Sequence, residues 1–463
     1  MPKRGSVPFQ EVLPLVVARE VAPTSILVRP MLKKPRLEDL EPVSTLLPVF
    51  DAIRGYLAAN ARGITRDEAI LEELTKLLHA KICDELAAAE GKSLRFYALV
   101  KESVADVRKR IALLYEESVA TQLNGPDTAR ELLLDEESCV FAVQALHHYR
   151  LLGAQRDVVG EAYEGLIFPA LRGGQGQFFT PKNVAACLVQ LLDIKPNFRV
   201  IDPACGTGGF LAEVAASSKE RIAASTRQKR SGSSLFGVDK DELLVRLASD
   251  NLGLRGIKAH IVCTNSLLPP PRLSAPTREI LKPESFDIVI TNPPFGSKIP
   301  VAGEDTLGQF DLARRWIFSE RSGHWTKLQD LRDAMPPQIL FIELCWKLLK
   351  EGGRCGIVLP EGILGNQSAG YIRQWLLERA DVQAVIDCPL ETFMPSTSTK
   401  TVLLLFERRA KPRHRSVFMA IADKCGHDRR GNPILKRDGS PDDDFPSISE
   451  EWKKLRSEER ISR

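Results

Sequence analysis

The sequence is short of the features that place a chain in a membrane or in an oxidising compartment. No run approaches the roughly 18 apolar residues of a membrane span. The opening stretch MPKRGSVPFQEVLP starts basic but has no clean apolar core and no A-x-A site, so no signal peptide is expected. The nine cysteines are scattered, with no C-x-x-C pair and no zinc-like spacing. That argues against a disulfide framework and for a reducing compartment, the cytoplasm. There is no internal repeat, no Gly-Lys-Ser/Thr of a P-loop and no G-x-G-x-x-G after a strand. Net charge is only +4, so it neither demands nor excludes a polyanionic partner.

What is present is an ordinary globular composition, 43% apolar and 27% charged, over 463 residues. This length suggests two or three domains. Residues 1–45 are rich in Pro and mixed charge and are expected to form a flexible arm. Residues 46–170 carry a helical pattern. Thr65-Arg-Asp-Glu68 fits a capping box, and Ile70, Leu74, Leu77, Leu78 and Ile82 follow on one helical face. Further helices are expected over 94–119 and 128–150, giving an all-α N-terminal domain.

Residues 171–410 read differently. FRVID (198–202), LFGVD (235–239), AHIVCTN (259–265), FDIVITN (286–292), RCGIVLP (354–360), VQAVIDC (382–388) and TVLLLFE (401–407) are seven β-rich runs. Helical patterns lie between most of them, including QILFIELCWKLLK, stopped by Gly352 and Gly353. Continuous apolar strands alternating with helices indicate a doubly wound α/β sheet, whose ligands bind beyond the strands' carboxyl ends. Asp202, Asp239, Asn265 and Asn292 fall there. Residues 411–463 form a C-terminal extension, first basic (RRAKPRHR), then Gly/Pro/Asp-rich, then a charged helix-prone tail.

The first strand ends in Asp202-Pro-Ala-Cys-Gly-Thr-Gly-Gly-Phe210. Its glycines allow backbone to approach a ligand closely. A generic nucleotide-binding turn is one reading. An acidic residue just before the glycines instead suits a cationic ligand group such as an α-amino group. Asp239 could accept two ribose hydroxyls or be a solvated strand-end carboxylate. After the fourth strand, Asn292-Pro-Pro-Phe295 places a carboxamide, a rigid carbonyl and an aromatic ring in succession. Prolines cannot continue a central ladder.

DPACGTGGF, GVD and TNPPF, with GQGQFFTPKNVA ahead of them, resemble the S-adenosylmethionine-dependent N6-adenine DNA methyltransferases. More narrowly, QFFTP, NPPFGSK, LFIELCWKLLKEGGRCGIVLPEGIL, IRQWLLE, TFMPSTSTKTVLLLF and VFMAIADKCGHDRRG resemble the modification (M) subunit of type I restriction-modification systems. The resemblance covers most of residues 60–430. It implies a Rossmann-like, seven-stranded methyltransferase domain preceded by the helical domain. It also implies a site-specific, adenine-specific DNA methyltransferase. By resemblance, Asn292 Oδ1 and the Pro293 carbonyl accept the two N–H bonds of the adenine amine, with Pro294 holding the carbonyl rigid. Phe295 stacks on the base and Phe393 is a second aromatic contact, its alternative being a core phenylalanine. Gln177, Phe178, Phe179, Thr180, Pro181 and Lys182 lie near the methionine end of S-adenosylmethionine. Asp202, Ala204, Gly206, Thr207, Gly208, Gly209 and Asp239 complete its site, with Asn265 where many relatives have Asp. Thr180 and Pro181 also read as helix N-cap and N1.

Displacement at a sulfonium needs no metal, and none is expected; His147 and His148 read as surface and core residues. A base inside a duplex must be flipped out to reach such a site. The expected partners are double-stranded DNA, a separate specificity (S) subunit with two M chains per S, and possibly a restriction-translocase (R) subunit. The stretch from Gly296 to Pro336 is expected to be a mobile loop over the base. Two rivals are a protein-glutamine methyltransferase, which shares N-P-P-aromatic, and a non-catalytic subunit that binds DNA or cofactor.

Overall fold

The computed structural model describes residues 28–42, 46–64, 66–120, 131–151, 180–224, 234–296, 299–413 and 416–461. Residues 1–27, most of the expected arm, lie outside these, as do Gln177, Phe178, Phe179 and the RQKR stretch at 227–230. The chain forms two compact units, Met1–Gly173 and Gly174–Arg463.

The first unit contains helices α1 (Leu47–Asn60), α2 (Asp67–Ala89), α3 (Val104–Ala120) and α4 (Glu136–Leu146). In α2, Ile70, Leu74, Leu77, Leu78 and Ile82 are all buried, as the spacing requires. The helix begins at Asp67 with Arg66 as N-cap, whereas the expected cap, Thr65, lies outside the described residues. The polar face of α2 is buried too: Glu73, Lys76, Lys81, Asp84 and Glu85 are each 2% exposed or less. Ion pairs Lys76–Glu73 (2.6 Å) and Lys81–Glu85 (2.9 Å) run along it. The carboxylates also end loops by accepting from backbone amides. Asp84 takes those of Arg95 and Phe96, Glu73 those of Leu133 and Leu134, and Glu85 that of Leu151. These contacts satisfy buried charges that would otherwise be very costly.

The second unit is built on one sheet. All seven expected strands are present: β1 (Arg199–Asp202), β2 (Ser234–Asp239), β3 (Ala259–Cys263), β4 (Phe286–Thr291), β5 (Leu349–Pro360), β6 (Ala380–Asp387) and β7 (Thr401–Arg408). An eighth, β8 (Phe418–Ile421), was not expected and extends one edge, so the order is β8-β6-β7-β5-β4-β1-β2-β3. Only β7 runs antiparallel to its neighbours. The sheet is covered on one face by α5 (Lys182–Leu191), α6 (Gly209–Ala224), α7 (Glu242–Leu254) and the C-terminal α10 (Phe445–Ile461), and on the other by α8 (Pro337–Leu348) and α9 (Gly370–Leu377). Adjacent residues feed opposite layers: Val200 points to the first core, Ile201 to the second. α10 is fastened to α5 by Trp452 Nε1 donating to the Leu191 carbonyl at 3.0 Å.

Three local expectations change. The helix expected to run to Gly352 ends at Leu348, and β5 starts at Leu349. A shift in register between Leu349 and Arg354 absorbs the two glycines, and a Cβ at Gly353 would meet the Phe286 carbonyl oxygen at 2.9 Å. The described part of 296–336 is folded, not a loop. Val301–Ala302 pairs with Ala334–Met335, and Arg314–Ser319 forms a hairpin with His324–Leu331. The Trp325 backbone of that hairpin exchanges two hydrogen bonds with the Gln374 side chain of α9, the amide donating to Oε1 and the carbonyl accepting from Nε2. Finally, α5 begins at Lys182 with Pro181 as its cap residue, one position later than the Thr180-Pro181 reading.

Candidate active site

The chain passes from β1 outward through β2 and β3, then returns to β4 on the other side of β1. The switch point lies beyond the carboxyl ends of β1 and β4, where a doubly wound sheet opens a crevice. A cleft is found there. Its walls include Ala204, Gly206, Asp239, Asn265, Asn292 and Pro294. Six of the residues proposed from sequence, spread over 90 positions, thus share one cavity. Leu244, Ile299, Val301 and Phe341 supply an apolar surface within it.

Asp202 sits at the end of β1, 1% exposed. Its Oδ1 accepts from Thr291 Oγ1 (2.7 Å) and from the Ala204 amide (3.0 Å). Burial, with a smaller contribution from nearby Asp239, pushes its carboxyl up to about 7, while the Thr291 and Ala204 bonds oppose the rise. Asp239, at the end of β2, accepts from the Gly206 amide (3.0 Å) and from the Asp241 amide (3.1 Å). Burial raises its carboxyl as well. Both lone pairs of Asp202 Oδ1 are used by its two bonds, whereas each Asp239 oxygen accepts one of its two bonds and has a second lone pair.

The turn after β1 has the shape its glycines permit. Gly208 lies at φ +80°, and a Cβ there would come within 3.2 Å of Leu252 on α7. Close packing of α6 on α7 therefore requires the missing side chain. Thr207 is buried, its carbonyl accepting from Asn251 Nδ2 at 2.9 Å. Gly209 opens α6. Cys205 inside this turn is buried, and burial pushes its thiol far above the ordinary range. Across the cleft, Asn265 Oδ1 accepts from the Leu267 amide (3.0 Å) and Ser266 Oγ donates to the Pro203 carbonyl (2.6 Å). These bonds fix the loop after β3 to the loop after β1.

β4 ends at Thr291, and Asn292-Pro-Pro leaves the sheet. Asn292 Oδ1 is buried, and Pro293 is buried while Asn292 and Pro294 form wall. The Phe295 and Phe393 rings, 4% and 3% exposed, meet edge to face with centroids 6.4 Å apart and planes at 84°. Gly296, at φ +134°, donates its amide to Gln338 Oε1 on α8 (3.4 Å). Of the described residues proposed from sequence, Thr180, Pro181, Lys182, Asp202, Thr207, Gly208, Gly209, Pro293, Phe295 and Phe393 are not part of the cleft wall. Asn183, the residue after Lys182, donates to the Cys425 carbonyl and Asp443 Oδ2.

Sequence reasoning missed Thr291, Gln338 and Ser266. Thr291 stands next to a motif that drew attention, but nothing in the sequence signals a hydroxyl bonded to a carboxylate 89 positions away. Among the described residues, no group of three or more His, Cys, Asp or Glu side chains is placed to hold a metal.

The model of the N-6 DNA Methylase family matches residues 154–459, more than half of the chain. The chain is 28% identical over 258 residues to the type I restriction enzyme EcoEI methylase subunit of Escherichia coli, covering 55% of this chain and 47% of that protein. It is 25% identical over 366 residues to the StySJI methylase subunit of Salmonella typhimurium, covering 73% and 63%. The chain therefore spans about half to under two-thirds of these relatives. In fold it is similar to the type I restriction-modification methyltransferase subunit of Streptococcus thermophilus, with a TM-score of 0.55, 18% identity and coverage of 88% and 92%. A chain from a study of type I system assembly gives a TM-score of 0.58 at 21% identity, covering 86% and 81%. The strand-end carboxylates, the glycine turn and Asn292-Pro-Pro-Phe295 all lie within the matched span, and the chain belongs to the N-6 DNA methylase family.

Proposed function

We propose that this chain transfers a methyl group from S-adenosylmethionine to N6 of an adenine extruded from double-stranded DNA. The observation that carries the reading is the single cleft shared by Asn292 and Pro294 with Ala204, Gly206, Asp239 and Asn265. When bound, S-adenosylmethionine supplies a methyl group on a positively charged sulfur. The residues present fit it. Asp202 is a buried carboxylate at the start of the glycine turn whose Gly206 lines the cleft. Asp239 offers oxygens suited to vicinal hydroxyls, and Asn265 and the apolar wall suit an adenine ring.

The chain's own work is on the acceptor nitrogen. An adenine amine is a poor nucleophile because its lone pair is delocalised into the ring. Asn292 Oδ1 and the Pro293 carbonyl accept its two N–H bonds and draw the nitrogen toward tetrahedral geometry, which returns electron density to it. The two prolines hold these acceptors before the base arrives, so little reorganisation is needed. Alignment for direct displacement contributes on the order of 7–11 kcal/mol in favourable cases. Phe295 and Phe393 flank the base. Their planes stand at 84°, so one ring must turn to stack a base between them.

The relatives are named methylase subunits of type I restriction enzymes, which supports assembly of this chain into a multisubunit complex; we extend this to a separate specificity subunit carrying two copies of this chain, and to a restriction-translocase subunit. The test is transfer of tritiated methyl from S-adenosylmethionine to duplex DNA, with and without a co-expressed specificity subunit. Label at N6 of adenine is expected. Label in protein would favour glutamine methylation, and none anywhere a non-catalytic subunit.

A further inference from the structure

Between β8 and α10 the chain makes a double turn, Asp423–Asp444, that buries almost nothing. Residues 429–439 are all exposed. It is nonetheless held rigid by backbone bonds. Ile434 donates to the Gly426 carbonyl, Lys436 to Ser440, Asp442 to Ile434 and Asp428 to Asn432, at 2.7–3.0 Å. Its carboxylates are used to build it. Asp428 takes the amides of Arg430 and Asn432, Asp438 that of Ser440, and Asp444 those of Asp423 and Lys424. The cations are spent differently. Arg429 pairs with Glu391 (3.0 Å), but among the described residues Arg430, Lys436 and Arg437 enter no ion pair. Asp423–Asp444 as a whole holds six Asp and five Lys or Arg, but its exposed stretch 429–439 holds four Lys or Arg and a single Asp, so the positive charge is concentrated there.

Its position gives that charge a purpose. Glu391 lies two residues before Phe393, and a Cβ at Gly431 would be 3.4 Å from Pro395. The double turn is thus tied by an ion pair to one side of the segment carrying Phe393 and lies close to the other. Its base also holds Asn183 at the start of α5. We propose that this double turn is a contact surface for the DNA phosphate backbone. Arg430, Lys436 and Arg437 neutralise phosphates beside the nucleotide whose base meets Phe393. This rests on the DNA reading above. Exposed Ile434 and Leu435 would suit a protein partner instead, but three cations without ion pairs outweigh two aliphatic side chains.

The experiment compares the full chain with a triple variant, Arg430→Gln, Lys436→Gln and Arg437→Gln, in binding a fluorescent 30-base-pair duplex across a KCl series. Each lost phosphate contact lowers the slope of log affinity against log salt by about 0.9. The variant should lose about 2 to 3 in slope and on the order of ten-fold or more in affinity at 0.1 M salt. Its melting temperature and S-adenosylmethionine affinity should not change, because the three side chains are exposed. A variant with wild-type slope and affinity overturns the proposal. So does one that keeps DNA affinity but alters the chain's mass by light scattering, which would mark a protein interface. A wild-type chain that, together with its co-expressed specificity subunit, binds cofactor but no duplex at any salt refutes the DNA reading itself.

Discussion

Replacing Thr291 with Val removes one buried oxygen at the end of β4 and nothing from the wall of the cleft. The lost bond, 2.7 Å from Oγ1 to Asp202 Oδ1, is a buried hydrogen bond to a carboxylate. Such bonds contribute about 1.5–3 kcal/mol. Because this one opposes the effects of burial and of Asp239, its loss moves the Asp202 midpoint upward from about 7, by about one to two pH units. A carboxylate that must be ionised to hold an ammonium group then binds over a higher pH range. At pH 7.5 the ionised fraction falls from about three-quarters to between about a quarter and a few percent, so apparent affinity drops about 3- to 25-fold. The gap should narrow above about pH 9. Titration calorimetry with S-adenosylmethionine from pH 6 to 9.5 reads the midpoint directly. Thr291→Ser should keep the wild-type profile, and Asp202→Asn should remove the component that titrates with a midpoint near 7. A Thr291→Val profile parallel to wild type at every pH would refute the coupling. The same group makes a stability statement for the cofactor-free chain. Its raised carboxyl favours folding while protonated, so that contribution is full below its ordinary value of 3.8 and is lost as pH rises through about 7.

Other outcomes follow from other sites. Gly208→Ala places a side chain at φ +80° against Leu252; it should cost about 1–3 kcal/mol in thermal unfolding and weaken cofactor binding more than it slows transfer at saturation. Glu85→Ala strands buried Lys81 and removes an acceptor for the Leu151 amide. Urea unfolding should show a loss of about 3–5 kcal/mol, partly restored by adding Lys81→Met. His147, held by the Ala98 amide, is pushed down to about 3, chiefly by burial and then by His148. Its contribution is full above the ordinary imidazole value of 6.5 and lost as pH falls toward 3. Amide exchange in α4 should therefore accelerate through that window, and less so in His147→Gln.

The sequence makes the sheet legible because its central strands are buried on both faces and read as unbroken apolar runs. β8 is not legible in that way. It is four residues long, sits at the edge and alternates exposed with half-buried side chains. The hairpin at Arg314–Leu331 hides for a related reason: its aromatic residues, Trp316 and Trp325, pack on Tyr371 of α9, a partner no local pattern reveals. In α2 the apolar spacing identifies one buried face. It cannot show that the charged face is buried as well, since that depends on loop amides 11 to 66 positions away. At the site, Asn292, Asp202 and Asp239 stand out because carboxamide and carboxylate groups at strand ends have few structural reasons to be there. Thr291 has a common residue's anonymity, and its role exists only in three dimensions.

The central claim is that a carboxamide beside two prolines activates the acceptor nitrogen. The most direct measurement is single-turnover methyl transfer to duplex DNA by Asn292→Ala, assembled with its specificity partner and saturated with S-adenosylmethionine. The account predicts a rate reduced about 10²- to 10³-fold with cofactor affinity nearly unchanged. A rate equal to wild type would contradict it.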